Sequence, residues 1–130
     1  MEVKQIHVLV VDDDTSIREY LEDVLREEGH IVITAANGEL GIRALQEHPE
    51  LEFLITDYQM PKRNGIEVVR FSKLERPSVK TALITATPTP DVAKLAMAAG
   101  ADAVLSKPFR IEALEELIAK FFPVTSPTVA

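Results

Sequence analysis

The sequence predicts an α/β fold, a doubly wound parallel sheet of five strands flanked by five helices. Three observations predict it. Short β-branched runs alternate five times with longer amphipathic stretches. The runs are largely apolar throughout rather than alternating with polar residues, as in strands covered on both faces. Each βα pair fits within about 25 residues, which leaves room only for short connections between parallel strands.

The elements follow in order. Residues 6–11 form the first strand, and Ile17, Tyr20, Leu21, Val24 and Leu25 then paint one face of a helix at i, i+3, i+4, i+7, i+8. Ser16 with Glu19 matches a capping box near its start, and Gly29 suits its C-terminal end. A strand at residues 31–35 precedes a helix after Asn37-Gly38 with Ile42 and Leu45 facing inward. Residues 51–56 are the third strand, 66–74 the core of the third helix and 79–85 the fourth strand. Pro90 suits a first helical position, opening an Ala-rich helix over 92–99 that Gly100 ends. Residues 103–105 form a short fifth strand, and a last helix over about 111–122 buries Ile111, Leu114, Leu117, Ile118 and Phe121. Pro123 stops it, so that residues 1–122 form one domain and 123–130 a Ser/Thr/Pro-rich tail or linker.

Composition narrows the function. A formal charge of −7 argues against a nucleic-acid-binding surface, which needs clustered Lys and Arg. Without cysteine there is no disulfide, zinc–thiolate site or thiol catalysis. Met1-Glu2-Val3-Lys4-Gln5 leads into a short apolar run, neither a signal peptide nor a membrane span, and the expected location is the cytoplasm. His7, His30 and His48 lack metal-ligand spacing and read as structural or exposed. Gly38 and Gly41 lack the spacing of a phosphate-binding glycine motif.

The polar residues at the strand ends carry the function. In open α/β sheets, ligands bind at the carboxyl ends of the strands. Asp12 and Asp13 follow the first strand and Asp57 the third, while Thr85 ends the fourth and Lys107 follows the fifth. Three neighbouring carboxylates repel one another unless a cation or proton relieves them. An all-oxygen site with room for water suits Mg²⁺. Lys107 can hold a phosphoryl oxygen, the Thr85 hydroxyl can bond another, and one carboxylate can act as nucleophile. The bland alternatives are helix capping for Asp12, Asp13 and Asp14, a turn role for Asp57, and Thr87 as a rival of Thr85. For Asp14 capping is the better reading.

Four segments resemble the receiver domains of bacterial two-component response regulators: Val10-Val11-Asp12-Asp13-Asp14, Ile55-Thr56-Asp57-Tyr58-Gln59-Met60-Pro61, Leu83-Ile84-Thr85-Ala86 and Ser106-Lys107-Pro108-Phe109. The likeness runs from Val8 to Phe121. It implies a flavodoxin-like sheet of order 2-1-3-4-5. It implies Asp57 as phosphoacceptor, Thr85 as switch hydroxyl and Lys107 as phosphoryl contact. The implied cofactor is Mg²⁺ (or Mn²⁺), held directly by Asp13, Asp57 and the Gln59 carbonyl, and by Asp12 largely through water. A cis Lys107–Pro108 bond is also implied. The partners would be a histidine kinase or phosphotransfer protein and a downstream effector, met on the face of the fourth helix, fifth strand and fifth helix. That face would bind a partner or dimerise.

The sequence departs from the family in three places. Val104 stands where relatives often carry an aromatic ring that moves with the threonine, so coupling is expected through the loop after Thr85. Lys62 and Arg63 put two cations in the loop after Asp57. Gln59 and Thr87 supply no carboxylate to orient a hydrolytic water, which predicts a phosphoryl lifetime nearer minutes than seconds. Two other functions compete. A constitutive interaction module of this fold is favoured slightly by Val104 and disfavoured by the full Asp, Thr and Lys set. An Asp-nucleophile phosphatase would place a general acid where Gln59 stands, so the chain is expected not to be an enzyme beyond its own phosphorylation and dephosphorylation.

Overall fold

The computed structural model describes residues 4–124. Ten elements alternate along the chain: β1 (His7–Val11), α1 (Thr15–Glu27), β2 (Ile31–Ala35), α2 (Gly38–Glu47), β3 (Phe53–Asp57), α3 (Gly65–Glu75), β4 (Lys80–Thr85), α4 (Pro90–Ala99), β5 (Ala103–Ser106) and α5 (Ile111–Phe121). The strands are parallel in the order β2-β1-β3-β4-β5, as the sequence predicts. The order reverses at β1, which pairs with both β2 and β3, and this opens a crevice at their carboxyl ends.

Side-chain alternation along the strands divides the core in two. Leu9, Val11, Leu54 and Leu83 point to one face, where α2, α3 and α4 cover them with Leu45, Ile66, Val69, Ala96 and Ala99. Val8, Val10, Phe53, Ile55 and Ile84 point to the other face, under Leu21 and Leu25 of α1 and Leu114 and Ile118 of α5. Phe53 anchors this second layer, with Phe121 and Phe122 packed edge-on at 6.1 and 5.7 Å between ring centroids.

Local expectations hold at Asp14, Gly29 and the Lys107–Pro108 bond and are corrected elsewhere. The cap of α1 is Asp14, whose Oδ1 accepts the Ser16 and Ile17 amides at 2.9 and 3.2 Å. A short carboxylate one residue before the helix takes the orphan amides first, so the Ser16–Glu19 box does not form. Gly29 follows the Glu28 cap with φ of +95°, a left-handed conformation that suits glycine. Tyr20, placed on the apolar face of α1, is exposed at 54%, and Leu74, near the end of α3, at 74%. Each sits at the margin of its helix's apolar stripe, where Leu21 and Val69 already meet the sheet. The third strand begins at Phe53 rather than 51, because the Leu51 amide closes a turn onto the His48 carbonyl. It also runs one residue further, which makes Asp57 its last member. The expected tail reaches beyond the described residues from 125 onward, and the Lys107–Pro108 bond is cis.

Candidate functional site

The acids meet where the sheet topology requires. Register places Val11 beside Thr56, and Asp57 beside Ile84, so β1 and β3 deliver Asp12 and Asp57 to adjacent points of one edge. The Asp12 amide donates to the Ala35 carbonyl at 3.1 Å, continuing the β1–β2 ladder by one residue. The Lys107 amide donates to the Thr85 carbonyl at 2.8 Å, which turns the chain after β5 back toward β3.

Carboxylate oxygens of Asp12, Asp13 and Asp57 all lie within 4.8 Å of one another. Lys107 Nζ stands between two of these groups, 3.3 Å from Asp12 Oδ2 and 3.2 Å from Asp57 Oδ1. Asp12 is almost fully buried, Asp57 is partly buried at 12% side-chain exposure, and Asp13 is exposed. Asp12 Oδ1 accepts the Asp14 amide at 2.9 Å, and Arg18 Nη1 donates to the Asp12 carbonyl at 2.7 Å. Both contacts hold the acidic turn against α1. Asp57 Oδ1 also accepts the Tyr58 amide at 2.9 Å. Its Oδ2 has no hydrogen-bond partner among the described residues, and that oxygen is the one free to act.

The electrostatics agree with the geometry. Burial lifts the Asp57 carboxyl above its ordinary range; the Asp12 charge lifts it further, while Lys107 and the Tyr58 amide pull it partly back. Burial alone would lower the Lys107 ammonium, but the carboxylates of Asp12 and Asp57 outweigh it and hold that pKa above its usual value. Lys107 is thus a fixed positive charge, and one lysine does not neutralise three acids. An all-oxygen, carboxylate-rich donor set with surplus negative charge fits a hard divalent cation such as Mg²⁺.

Thr85 and Gln59 are placed nearby without joining this cluster. The Thr85 side chain is buried, and its Oγ1 accepts the Thr87 amide at 3.0 Å and lies 3.3 Å from Thr87 Oγ1. Among the described residues it makes no hydrogen bond to Asp57 or Lys107. Gln59 is exposed in the loop after β3, and its carbonyl accepts no backbone hydrogen bond among the described residues. Val104 is half-buried against the α2–α4 side of the core.

Two residues that position the site escape the sequence reading. A Cβ on Gly65 would come within 2.0 Å of the Asp57 carbonyl oxygen, so only glycine lets α3 start this close to the end of β3. The Gly65 amide donates to the Tyr58 carbonyl at 2.7 Å and closes the loop. The available signal was Gly65 after Asn64, a capping residue followed by the helix's first position. Arg18 is the other, and its only signal is its place on the first turn of the helix after Asp12 and Asp13.

Comparison with known proteins agrees with this arrangement. A probable chemotaxis protein CheY of Rhizobium etli is 37% identical over 122 residues, 92% of this chain and 94% of that protein. The sporulation initiation phosphotransferase F of Bacillus subtilis is 30% identical, with 92% and 95% covered. Other curated relatives are longer, and the chain matches about half of their length. A response regulator receiver domain protein from Clostridium thermocellum superposes with a TM-score of 0.84 at 31% identity, covering 89% of this chain and 93% of that one. The family model described as response regulator receiver domain matches residues 8–119, from β1 into α5 and through every residue of the acid–lysine cluster. The chain belongs to the receiver domains of two-component response regulators.

Proposed function

We propose that Asp57 accepts a phosphoryl group from a phosphohistidine of a histidine kinase or phosphotransfer protein, and that the resulting acyl phosphate switches the binding of a downstream partner. The observation that carries this reading is the meeting of Asp12, Asp13, Asp57 and Lys107 at one sheet edge, with Asp57 Oδ2 unengaged. In the transfer a carboxylate oxygen of Asp57 attacks phosphorus. The phosphorus–nitrogen bond to the donor imidazole breaks, its electron pair stays on the ring nitrogen, and that nitrogen takes up a proton. Lys107 meets a phosphoryl oxygen with its fixed charge. Asp13 and Asp57 would hold Mg²⁺ (or Mn²⁺) directly, with the Gln59 carbonyl as a further ligand and Asp12 acting largely through water. Bound there, the cation would offset the carboxylates and the phosphoryl oxygens.

Thr85 must exchange its bonds to Thr87 for a phosphoryl oxygen, which makes the loop after β4 the moving element. Leu95 and Met97 are exposed at 50% and 56% on α4, which supports a partner surface or dimer contact on the face of α4, β5 and α5. No helix among the described residues is long and apolar enough to cross a membrane, which is consistent with a cytoplasmic place for this switch. Residues 1–122 would be the signalling unit and 123–130 its tail or linker. Val104, half-buried against the core where relatives often carry an aromatic ring, favours a second reading: a constitutive module of the same fold.

An intact-mass time course with acetyl phosphate separates the two. The expected result is a Mg²⁺-dependent gain of one phosphoryl group, absent in Asp57→Asn and decaying over minutes. Folded wild-type chain that gains nothing under any condition would establish the constitutive module, and gain retained by Asp57→Asn would move the acceptor elsewhere.

A further inference from the structure

The opposite end of the sheet holds a second cluster that the phosphoryl chemistry does not use. Glu28, which caps α1, and Glu115 of α5 line one groove, close enough for a protonated Glu28 carboxyl to donate to Glu115. Burial, that hydrogen bond and the Glu115 charge together push the Glu28 carboxyl up to about 7. Glu28 therefore keeps its proton toward neutrality, facing Glu115. Among the described residues no lysine or arginine lies within ion-pair distance of either acid.

His30 supplies the second observation. Its side chain is fully buried, and Nδ1 accepts the Ile6 amide at 3.2 Å. The ring proton must then sit on Nε2, because burial keeps the imidazole neutral. That Nε2 has no hydrogen-bond partner, and it faces Glu28 Oε2 at 4.0 Å. A buried donor left open is costly unless something completes it. Here the natural completion is an ionised Glu28.

Beside these groups runs a groove of about 690 Å³, whose apolar wall includes Ile118, Ala119 and Phe122. Its size falls within the range of small-molecule sites, roughly 300–1,000 Å³. Glu112 and Glu116 add negative charge to the rim, and Lys4 lines it without pairing to the acids. We infer that this groove binds a small organic ammonium ion with an apolar body. Its ammonium group pairs with Glu28 and Glu115, and its body lies on Ile118, Ala119 and Phe122. Proton loss leaves Glu28 a full carboxylate, able to accept from His30 Nε2 as well as from the ligand. Charge complementarity and the open His30 donor thus ask for the same occupant.

The probe is 2-phenylethylammonium chloride, titrated into the full chain at neutral pH and followed by amide NMR. Saturable shifts confined to residues near Glu28–His30 and Glu115–Phe122 are expected, with release of a proton on binding. The Glu28→Gln, Glu115→Gln double variant should bind at least tenfold more weakly while keeping a dispersed spectrum and its phosphoryl uptake at the far end of the sheet. Equal shifts from the neutral isostere 2-phenylethanol would overturn the proposal, as would absence of saturation. Saturation by tetralysine but not by the small ammonium ion would also overturn it, and would assign the groove to a basic protein partner.

Discussion

At the carboxyl end of the sheet, Asp12 and Asp57 share a lysine; at the amino end, Glu28 faces Glu115 and its carboxyl is pushed up to about 7. Each site sets two carboxyl groups against each other, at least one of them partly buried, and both must relieve the same repulsion. At the first, the chain supplies Lys107 from the turn after β5, which stands 3.3 Å from Asp12 and 3.2 Å from Asp57. At the second, Lys4 lines the groove but pairs with neither acid among the described residues, and burial holds the proton on Glu28 instead. The difference is one of supply: a built-in cation keeps an acid pair reactive, whereas its absence leaves a vacancy for a proton or an external cation.

The largest effect should come from removing that supplied cation. Lys107→Met takes away the charge that meets a phosphoryl oxygen, and phosphoryl uptake from acetyl phosphate should slow by about 10²–10³-fold. Divalent cation affinity should move the other way, rising by roughly three- to tenfold, because a like charge beside the site is gone. Calorimetric titration with Mg²⁺ reads the second number. If both uptake and metal binding weaken, Lys107 acts by shaping the pocket and the contrast between the two ends loses its electrostatic basis.

A smaller effect isolates the amino end from the chemistry. There the Arg76 guanidinium reaches the carbonyls of Leu45, His48, Pro49 and Leu51, tying the end of α2 to the entry of β3. Arg76→Ala leaves partly buried carbonyls without this donor and should cost about 2–4 kcal/mol in urea unfolding, with phosphoryl uptake per folded molecule unchanged. A matching loss of uptake would mean that the two ends of the sheet are coupled rather than separate.

The unequal legibility of these two ends has a physical cause. Asp12, Asp13, Asp57 and Lys107 each stand next to a strand, so the periodic apolar runs locate them and the sheet order brings them together. Chain position alone does not show which way a hydroxyl turns, and the Thr85 bond to Thr87 is set by the local turn rather than by any periodicity. Gly65 was hidden for a related reason: its role is the absence of a Cβ near the Asp57 carbonyl, a contact between two elements. Glu28, His30 and Glu115 were the least visible. Glu28 and His30 share the turn between α1 and β2, but the sequence reading gave His30 only a structural or exposed place, and nothing in the spacing brings Glu115 of α5 to them.

The smallest effect tests the Glu28 proton itself. Glu28 binds its proton more tightly in the folded chain than at the ordinary value of 4.5, so folding takes up a proton between pH 4.5 and about 7. The stability this contributes is complete below pH 4.5 and is lost as pH rises through about 7. His30 acts in the opposite sense, since burial lowers its pKa and its contribution is lost as pH falls. Glu28→Gln copies the protonated shape without the titration and leaves His30 in place. The difference between wild type and variant therefore reports Glu28 alone. From about pH 5 to about pH 8 the wild type should lose on the order of 1–3 kcal/mol relative to the variant. Urea midpoints measured across that range supply the comparison. Parallel profiles would show that Glu28 titrates freely, and the amino end would then be an ordinary acidic surface rather than a pair waiting for a cation.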